Sequence, residues 1–245
     1  MSLSSKINKL MHAYFRHFKN AFLTTSGLIF MGNTLLFGVP QAAQNEAIFS
    51  RQMSLENRYA DKTVNDVMKD NILLTLAYMR GIVHNSSDID WDKVRKPFDY
   101  VFTLKPGETY AFQKDSLPEF EHSIVVTTSL HFASQEGFKS DGYLFGDGVC
   151  HLASLFYWAA KDASLTAVAP TKHDFAQIPE IPREYGVAIY SQPNEKNTNA
   201  NQNLYIQDNF PVSVTFEISY DGKNLIVKIK KNVEENPASV TEEVI

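Results

Sequence analysis

The segment Gly142-Tyr-Leu-Phe-Gly-Asp-Gly-Val-Cys-His151 decides the fold, and it contains the chain's only cysteine, Cys150. The glycines at 146 and 148 permit the backbone conformations that a sharp turn into a helix requires. Apolar residues then recur at helical spacing, namely Leu152, Leu155, Phe156, Ala159 and Ala160. We therefore predict an amphipathic helix from Cys150 to about Asp162, with the thiol in its first turn.

Short strand patterns surround this helix. A Pro106-Gly107 turn leads into one of them, and an Asp221-Gly222 turn joins two alternating segments into a β-hairpin. The predicted strands cover residues 104–112, 124–130, 185–190, 203–207, 212–218 and 225–229. The fold class that we predict is α+β, in which a central helix starting at Cys150 packs on a mainly antiparallel sheet.

Composition excludes several kinds of protein. The net charge is −5 and the pI is about 5.8, so the chain has no broad basic surface for nucleic acid. A single cysteine excludes an intrachain disulfide and a zinc site built on several cysteines. No His-x-x-x-His or Cys-x-x-Cys spacing occurs. We therefore predict no metal, no cofactor and no nucleic-acid partner.

The N-terminus has the charge pattern of an export signal. Residues 1–20 carry four basic side chains and no acidic one, and the first carboxylate of the chain is Glu46. Residues 21–40 are uncharged and long enough to cross a bilayer as a helix. Residues 1–43 are thus predicted to be a signal or membrane anchor, with the rest of the chain extracytoplasmic. The alternative is a buried helix of a cytosolic protein.

The remainder divides into three parts. Residues 44–90 are predicted to be a helical region and linker, with one long helix or two shorter ones between Asn45 and Arg80. A further short helix is predicted from Trp91 to Phe102, which Pro97 must end or kink. The main domain is predicted over residues 91–231 and includes a polar surface loop at 194–202, and residues 232–245 form an acidic, flexible tail.

Cys150 is the candidate nucleophile. Amide groups at a helix start stabilise a thiolate, whereas a carboxylate at Asp147 opposes that effect if it lies close to the sulfur. The candidate bases are His122, His131, His151 and His173. His173 is preferred because it lies in a polar loop after the helix, whereas His151 points about 100° away from its neighbour on a helix. The alternative is an inert buried cysteine beside an exposed loop histidine.

Several motifs together resemble the VanW-like family. They are Lys105-Pro-Gly-Glu-Thr-Tyr-Ala-Phe112, the 142–151 segment, Ala153-Ser-Leu-Phe-Tyr157, His173 and residues 204–211. The resemblance covers about residues 98–230. Three positions depart from the family pattern: His151 replaces a glutamine, Asp147 replaces the middle glycine of a triple-glycine turn, and Tyr185-Gly186 stands where an aspartate is usual.

The resemblance implies a function at the cell wall. VanW-like proteins are linked to glycopeptide-resistance gene clusters, and members are proposed to be cysteine-dependent L,D-transpeptidases of peptidoglycan. It implies that Cys150 forms a thioester with a stem peptide and that His173 carries the proton. The residues expected to bind substrate or form the oxyanion site are Gly146, Gly148, His151 and Tyr157. The alternative is a non-catalytic envelope-binding or scaffold module that keeps the fold.

Overall fold

The computed structural model describes residues 46–122, 124–142 and 146–232, which form a mixed α+β fold. Its strands are β1 (Glu46–Ser54), β2 (Phe98–Leu104), β3 (Thr109–Ala111), β4 (Ile124–Val125), β5 (Thr166–Val168), β6 (Tyr205–Gln207), β7 (Val214–Tyr220) and β8 (Asn224–Lys231). Its α-helices are α1 (Lys62–Met79), α2 (Trp91–Val94), α3 (Val149–Asp162) and α4 (Lys196–Asn201). The α+β class predicted from the sequence is confirmed.

The first sheet is fully antiparallel, with the strand order β1-β8-β7-β2. The predicted hairpin forms β7 and β8, and Gly222 in its turn has a φ of 101°. Buried and half-exposed side chains alternate along β7. The buried ones on the two strands are Val214, Phe216, Ile218, Tyr220, Leu225, Val227 and Ile229. This alternation gives the sheet one apolar face toward the core.

The second sheet is mixed, with the order β4-β3-β6-β5. Strand β3 pairs in parallel with β4 and antiparallel with β6. The Pro106-Gly107 turn predicted from the sequence separates β2 from β3, and Gly107 has a φ of 82°. Because β2 and β3 belong to different sheets, this turn carries the chain from one sheet to the other.

The helix predicted over the first part of residues 45–80 is wrong. Residues 46–54 form strand β1, which pairs antiparallel with β8. The pairing covers one edge of the hairpin and satisfies its backbone groups, so tertiary context overrides local helix propensity. The second part is helical as predicted: α1 begins after Asp61, whose side chain accepts hydrogen bonds from the N–H groups of Thr63 and Val64.

Four other segments differ from their predictions. The helix predicted from Trp91 ends at Val94, since the chain enters β2 directly after Pro97. The strand predicted over 124–130 is only two residues long, and that over 185–190 is reduced to a single bridge between Val187 and Lys172. The loop predicted at 194–202 contains α4.

Helix α3 confirms the prediction made from the cysteine segment and begins one residue earlier, at Val149. It packs against β1 and β8 of the first sheet, β5 of the second, and α1. Arg51 of β1 also forms an ion pair of 2.6 Å with Asp162 in the last turn of α3. The helix therefore lies at the centre of the core, in contact with both sheets and with α1.

The predicted anchor at 1–43 and the tail from residue 233 lie outside the described residues. Within the described ranges, no helix is long and apolar enough to cross a membrane. Strand β1 comes from the predicted helical region and the β7–β8 hairpin from the predicted main domain, yet they share one sheet.

Candidate active site around Cys150

Cys150 lies in the wall of a cleft with a volume of about 610 Å³, which we call the Cys150 cleft. Of the residues that the sequence predicts for the site, those lining it are Gly146, Gly148, Cys150, His151 and His173. Tyr157 does not line the cleft, and its ring instead packs edge-on against Tyr185 at 6.2 Å. The predicted nucleophile and the preferred base, which come from separate elements, thus line the same cleft.

Helix α1 holds the turn that precedes Cys150. The buried Asn71 side chain donates hydrogen bonds of 3.0 Å to the carbonyl groups of Lys139 and Asp147, and accepts one of 2.8 Å from the Lys139 N–H. Gly148 has a φ of 94°, and a Cβ there would lie 2.6 Å from the Met68 carbonyl oxygen. A glycine is therefore required where the turn crosses α1.

The Cys150 sulfur is hydrogen-bonded to the backbone of Ile189. The Ile189 N–H donates to Sγ at 3.4 Å, and the thiol donates to the Ile189 carbonyl at 3.8 Å. One turn along α3, the Ser154 hydroxyl accepts a 2.9 Å hydrogen bond from the Val187 N–H and donates to the Cys150 carbonyl. Residues 187–189 are thereby held along the first turns of the helix.

The same segment positions His173. Lys172 pairs with Val187, and the His173 N–H donates to the Gly186 carbonyl at 3.1 Å. A Cβ at Gly186 would lie 2.5 Å from the His173 carbonyl oxygen, so no larger residue fits without a shift. This packing gives a physical reason for a glycine at 186.

Buried polar atoms without a hydrogen-bond partner are concentrated at this cleft. They include Nδ1 of His151 and of His173, whose rings meet edge to face at 6.1 Å. Asp147 Oδ2 and Arg58 Nε are unpaired as well, and both residues line the cleft. Each such atom costs about 1–3 kcal/mol, so a cluster of them indicates a site organised for something other than stability.

Burial sets the charge state of the thiol. It raises the pKa of Cys150 to about 11, with a smaller contribution in the same direction from Asp147. The amide groups at the helix start, expected to stabilise a thiolate, do not offset this. Two of these amide groups form hydrogen bonds within the turn: the Val149 N–H donates to the Gly146 carbonyl, and the His151 N–H donates to the Gly148 carbonyl. The resting sulfur is consequently a neutral thiol.

The pKa values of His151, His173 and Asp147 are all shifted in the direction of their neutral forms, although a carboxyl group with a pKa of about 6 is still mostly ionised at neutral pH. Burial, with repulsion from Arg58 and His173, lowers the pKa of His151 to about 3. Burial also lowers the pKa of His173. The pKa of Asp147 is raised to about 6, by burial and by the nearby Asp141. At neutral pH both imidazoles are therefore uncharged and able to accept a proton.

Three aromatic side chains project into solvent at this cleft. Phe175 is 78% exposed, Tyr59 53% and Tyr190 36%. Among the described residues, the only other exposed large apolar side chains are Ile82 and Val101, which lie elsewhere. Exposed aromatic rings beside a concave polar site are typical of ligand-binding surfaces. We call these three residues the aromatic rim.

Sequence reasoning missed several members of the site. The aromatic rim, Arg58 and Ser191 come from distant segments and carry no motif of their own. His131, one of the four candidate bases, also lines the cleft, and its Nδ1 lies 2.9 Å from Ser191 Oγ. The fourth candidate, His122, is exposed and does not line it.

Comparison of the chain with protein-family models, with curated proteins and with solved structures gives no match. Among the described residues, no group of three or more His, Cys, Asp and Glu side chains is arranged to hold a metal ion. The groups that the cleft offers for chemistry are a thiol, neutral imidazoles and a carboxyl group.

Proposed function

We propose that this protein is an extracytoplasmic enzyme of the bacterial cell envelope that transfers an acyl group of a peptidoglycan stem peptide through a thioester on Cys150. The observation that carries the proposal is the presence of Cys150 and His173 in one cleft, with an unpaired imidazole nitrogen on His173. The resemblance to VanW-like proteins supplies the substrate class.

The raised pKa of the Cys150 thiol favours activation by a general base over a preformed thiolate. With a pKa of about 11, roughly one sulfur in ten thousand is ionised at pH 7. A preformed thiolate–imidazolium pair is thus excluded as the main resting state. Serine hydrolases work from a hydroxyl that is less acidic still, because a neutral histidine removes the proton during attack. The same general-base route suits a neutral Cys150 and a neutral His173.

In the acylation step, Cys150 Sγ attacks the carbonyl carbon of the donor peptide and its proton passes to His173. The carbon–nitrogen bond to the leaving amine then breaks as that amine takes the proton from His173. The products are a thioester on Cys150 and a free amine. An acceptor amine or water resolves the thioester and restores the thiol.

The cleft is shaped for a ligand larger than the reacting bond. The aromatic rim offers exposed apolar faces in the same cleft as the thiol, and burying an aromatic side chain contributes about 1.5–3 kcal/mol of binding. We assign the rim to the part of the substrate that flanks the scissile bond. Substitutions in the aromatic rim are expected to change KM, because Cys150 and His173 carry out the bond-breaking step.

The proposal is tested by turnover of a purified stem tetrapeptide with a D-amino acid as acceptor. Cys150→Ala is expected to abolish turnover, and His173→Asn to lower it by about 10²–10⁴-fold, the usual contribution of a general base. His122→Asn is the matched control, since it removes an exposed histidine outside the cleft, and it should leave turnover unchanged. Full turnover by Cys150→Ala would contradict the proposal.

A second candidate is a non-catalytic envelope-binding module. The raised pKa of Cys150 and the bonds of its sulfur to Ile189 favour it, since both describe a thiol at rest in a packed environment. On this alternative the wild-type protein binds the tetrapeptide without turnover, and Cys150→Ala binds it equally well. A calorimetric titration of both proteins, beside the turnover assay, separates the two candidates.

A further inference from the structure

The Cys150 cleft contains an imidazole that the proposed acylation step does not use. His131 Nδ1 lies 2.9 Å from the hydroxyl oxygen of Ser191, and both residues line the cleft. Ser191 is buried and His131 is partly exposed. Because Nδ1 is engaged by Ser191, Nε2 is the nitrogen left for a ligand.

Backbone hydrogen bonds hold the segment of His131, and Ser191 lies close in the chain to Ile189. The His131 N–H donates to the two carboxylate oxygens of Glu136 at 3.0 and 2.8 Å, and the Ala133 N–H donates to the same group. Ser191 follows Ile189, which holds the Cys150 sulfur, by two residues. Two residues of extended chain span roughly 7 Å. The segment that binds the sulfur therefore also orients the His131 ring.

The second half of an acyl transfer requires a base of this kind. An amine acceptor is largely protonated near neutral pH, since amino groups have pKa values of about 8 to 10. It attacks a thioester only after losing that proton, and its nitrogen must lose a second proton as the amide forms. His173 has by then returned its own proton to the leaving amine. His131, on another segment of the same cleft and hydrogen-bonded through Nδ1 to Ser191, is a second imidazole that can take the proton of the incoming amine.

We propose that His131 is the catalytic base for the acceptor amine and that Ser191 is its positioning residue, an inference that rests on the proposed acyl transfer. The His131 Nδ1–H donates to Ser191 Oγ, which leaves the Nε2 lone pair for the amine. The acceptor ammonium first loses one proton to solvent. As its nitrogen bonds to the thioester carbon, a second proton passes to His131, and this proton is returned to the Cys150 sulfur when the carbon–sulfur bond breaks.

The test separates the two half-reactions on the full-length protein. A stem tetrapeptide is mixed with enzyme in the stopped-flow to measure acylation, and the acyl-enzyme is then partitioned between water and added D-methionine, an acceptor that differs from the amino acid released by the donor. His131→Asn keeps a polar group near the Nδ1 position and removes Nε2. It should lower transfer to D-methionine by about 100-fold while acylation stays within about twofold of wild type.

Ser191 variants test the positioning role. Ser191→Ala should lower the ratio of transfer to hydrolysis by about tenfold, the size expected when one orienting hydrogen bond is lost, and Ser191→Thr, which keeps the hydroxyl, should restore it. His122→Asn serves again as the control and should leave the ratio unchanged.

Three results would overturn the inference. Normal transfer by His131→Asn from a wild-type-like acyl-enzyme defeats the role of His131 and leaves the proposed function standing. An equal loss of acylation and transfer in His131→Asn and Ser191→Ala shows a structural role for the pair. A wild-type protein that forms no acyl-enzyme defeats the proposed function and this inference together.

Discussion

The β7–β8 hairpin and the Cys150 cleft have opposite kinds of interior. The hairpin buries apolar side chains at alternate positions, and its backbone is paired along its length. The cleft buries polar groups that lack partners. Of the eight unpaired buried side-chain atoms among the described residues, four belong to residues lining the cleft and none to β7 or β8. The hairpin thus stabilises the fold, and the cleft retains groups whose burial destabilises it.

The largest effect on stability is expected in the hairpin. Phe216 is fully buried and stacks on Phe102 at a centroid distance of 4.7 Å. Phe216→Ala should lower the free energy of unfolding by about 3–5 kcal/mol, because it removes a ring and leaves a cavity. Ser219→Ala, on the half-exposed face of the same strand, is the control. Urea titration measures both, and a loss below about 1 kcal/mol for Phe216→Ala would contradict the assigned core.

The next largest effect is expected at the turn into α3. Gly148→Ala forces a side chain into a positive-φ conformation and against the Met68 carbonyl, so it should cost about 3 kcal/mol or more. Gly107 has a similar φ and nothing within 4 Å of an added Cβ. Gly107→Ala should therefore cost only about 1 kcal/mol. Equal losses for the two variants would show that contact with α1 does not hold the turn.

A smaller effect depends on pH and belongs to the cleft. The pKa of His151 is about 3 in the folded protein against an ordinary value of 6.5. The unfolded chain therefore binds the extra proton below pH 6.5, and folded stability falls as the pH falls from there toward 3. His151→Gln removes this loss. Between pH 7 and 4.5 the wild type should lose about 2.5 kcal/mol relative to the variant.

The comparison is made by urea titration of both proteins at the two pH values. Asp147, with its raised pKa of about 6, acts in the opposite direction over part of this range, but it is present in both proteins and its contribution cancels in the difference. Parallel pH dependence of the wild type and His151→Gln would show that His151 is not buried in its neutral form.

The last prediction concerns the reactivity of the resting thiol and leaves the stability of the fold unchanged. A pKa of about 11 against 9.0 for an ordinary cysteine predicts that Cys150 reacts with iodoacetamide about 100-fold more slowly than a free thiol at pH 7. The rate should rise with pH to an inflection near 11. Cys150 is the only cysteine of the chain, so the adduct needs no further assignment. A rate above that of a free thiol would show a preformed thiolate.

The contrast between the β7–β8 hairpin and the Cys150 cleft also explains which parts of the structure could be predicted from the sequence. Helix α3 and the hairpin follow from local periodicity and from turn residues such as Gly222, so both were predictable. Strand β1 was not, because its pairing with the distant β8 overrides its helix-forming composition. Cys150 and His173 were predicted from their motifs, and both line the same cleft.

The rest of the cleft has no local signal. Tyr59, His131 and Ser191 come from separate segments, and nothing near any of them in the chain indicates the others. The Ile189 backbone that holds the sulfur is also invisible in the sequence, because any residue type supplies those groups. Such contacts depend on how distant segments pack, and packing is what single-segment patterns omit.

The central claim is that Cys150 forms a thioester with a stem peptide, and trapping that intermediate tests it most directly. The protein is mixed with a stem tetrapeptide, quenched in acid within milliseconds to seconds, and weighed intact by mass spectrometry. The account predicts a mass increase equal to the donor acyl group, located on Cys150, absent in Cys150→Ala, and removed by hydroxylamine. An unmodified wild-type protein at every time, under conditions where the tetrapeptide binds, would contradict it.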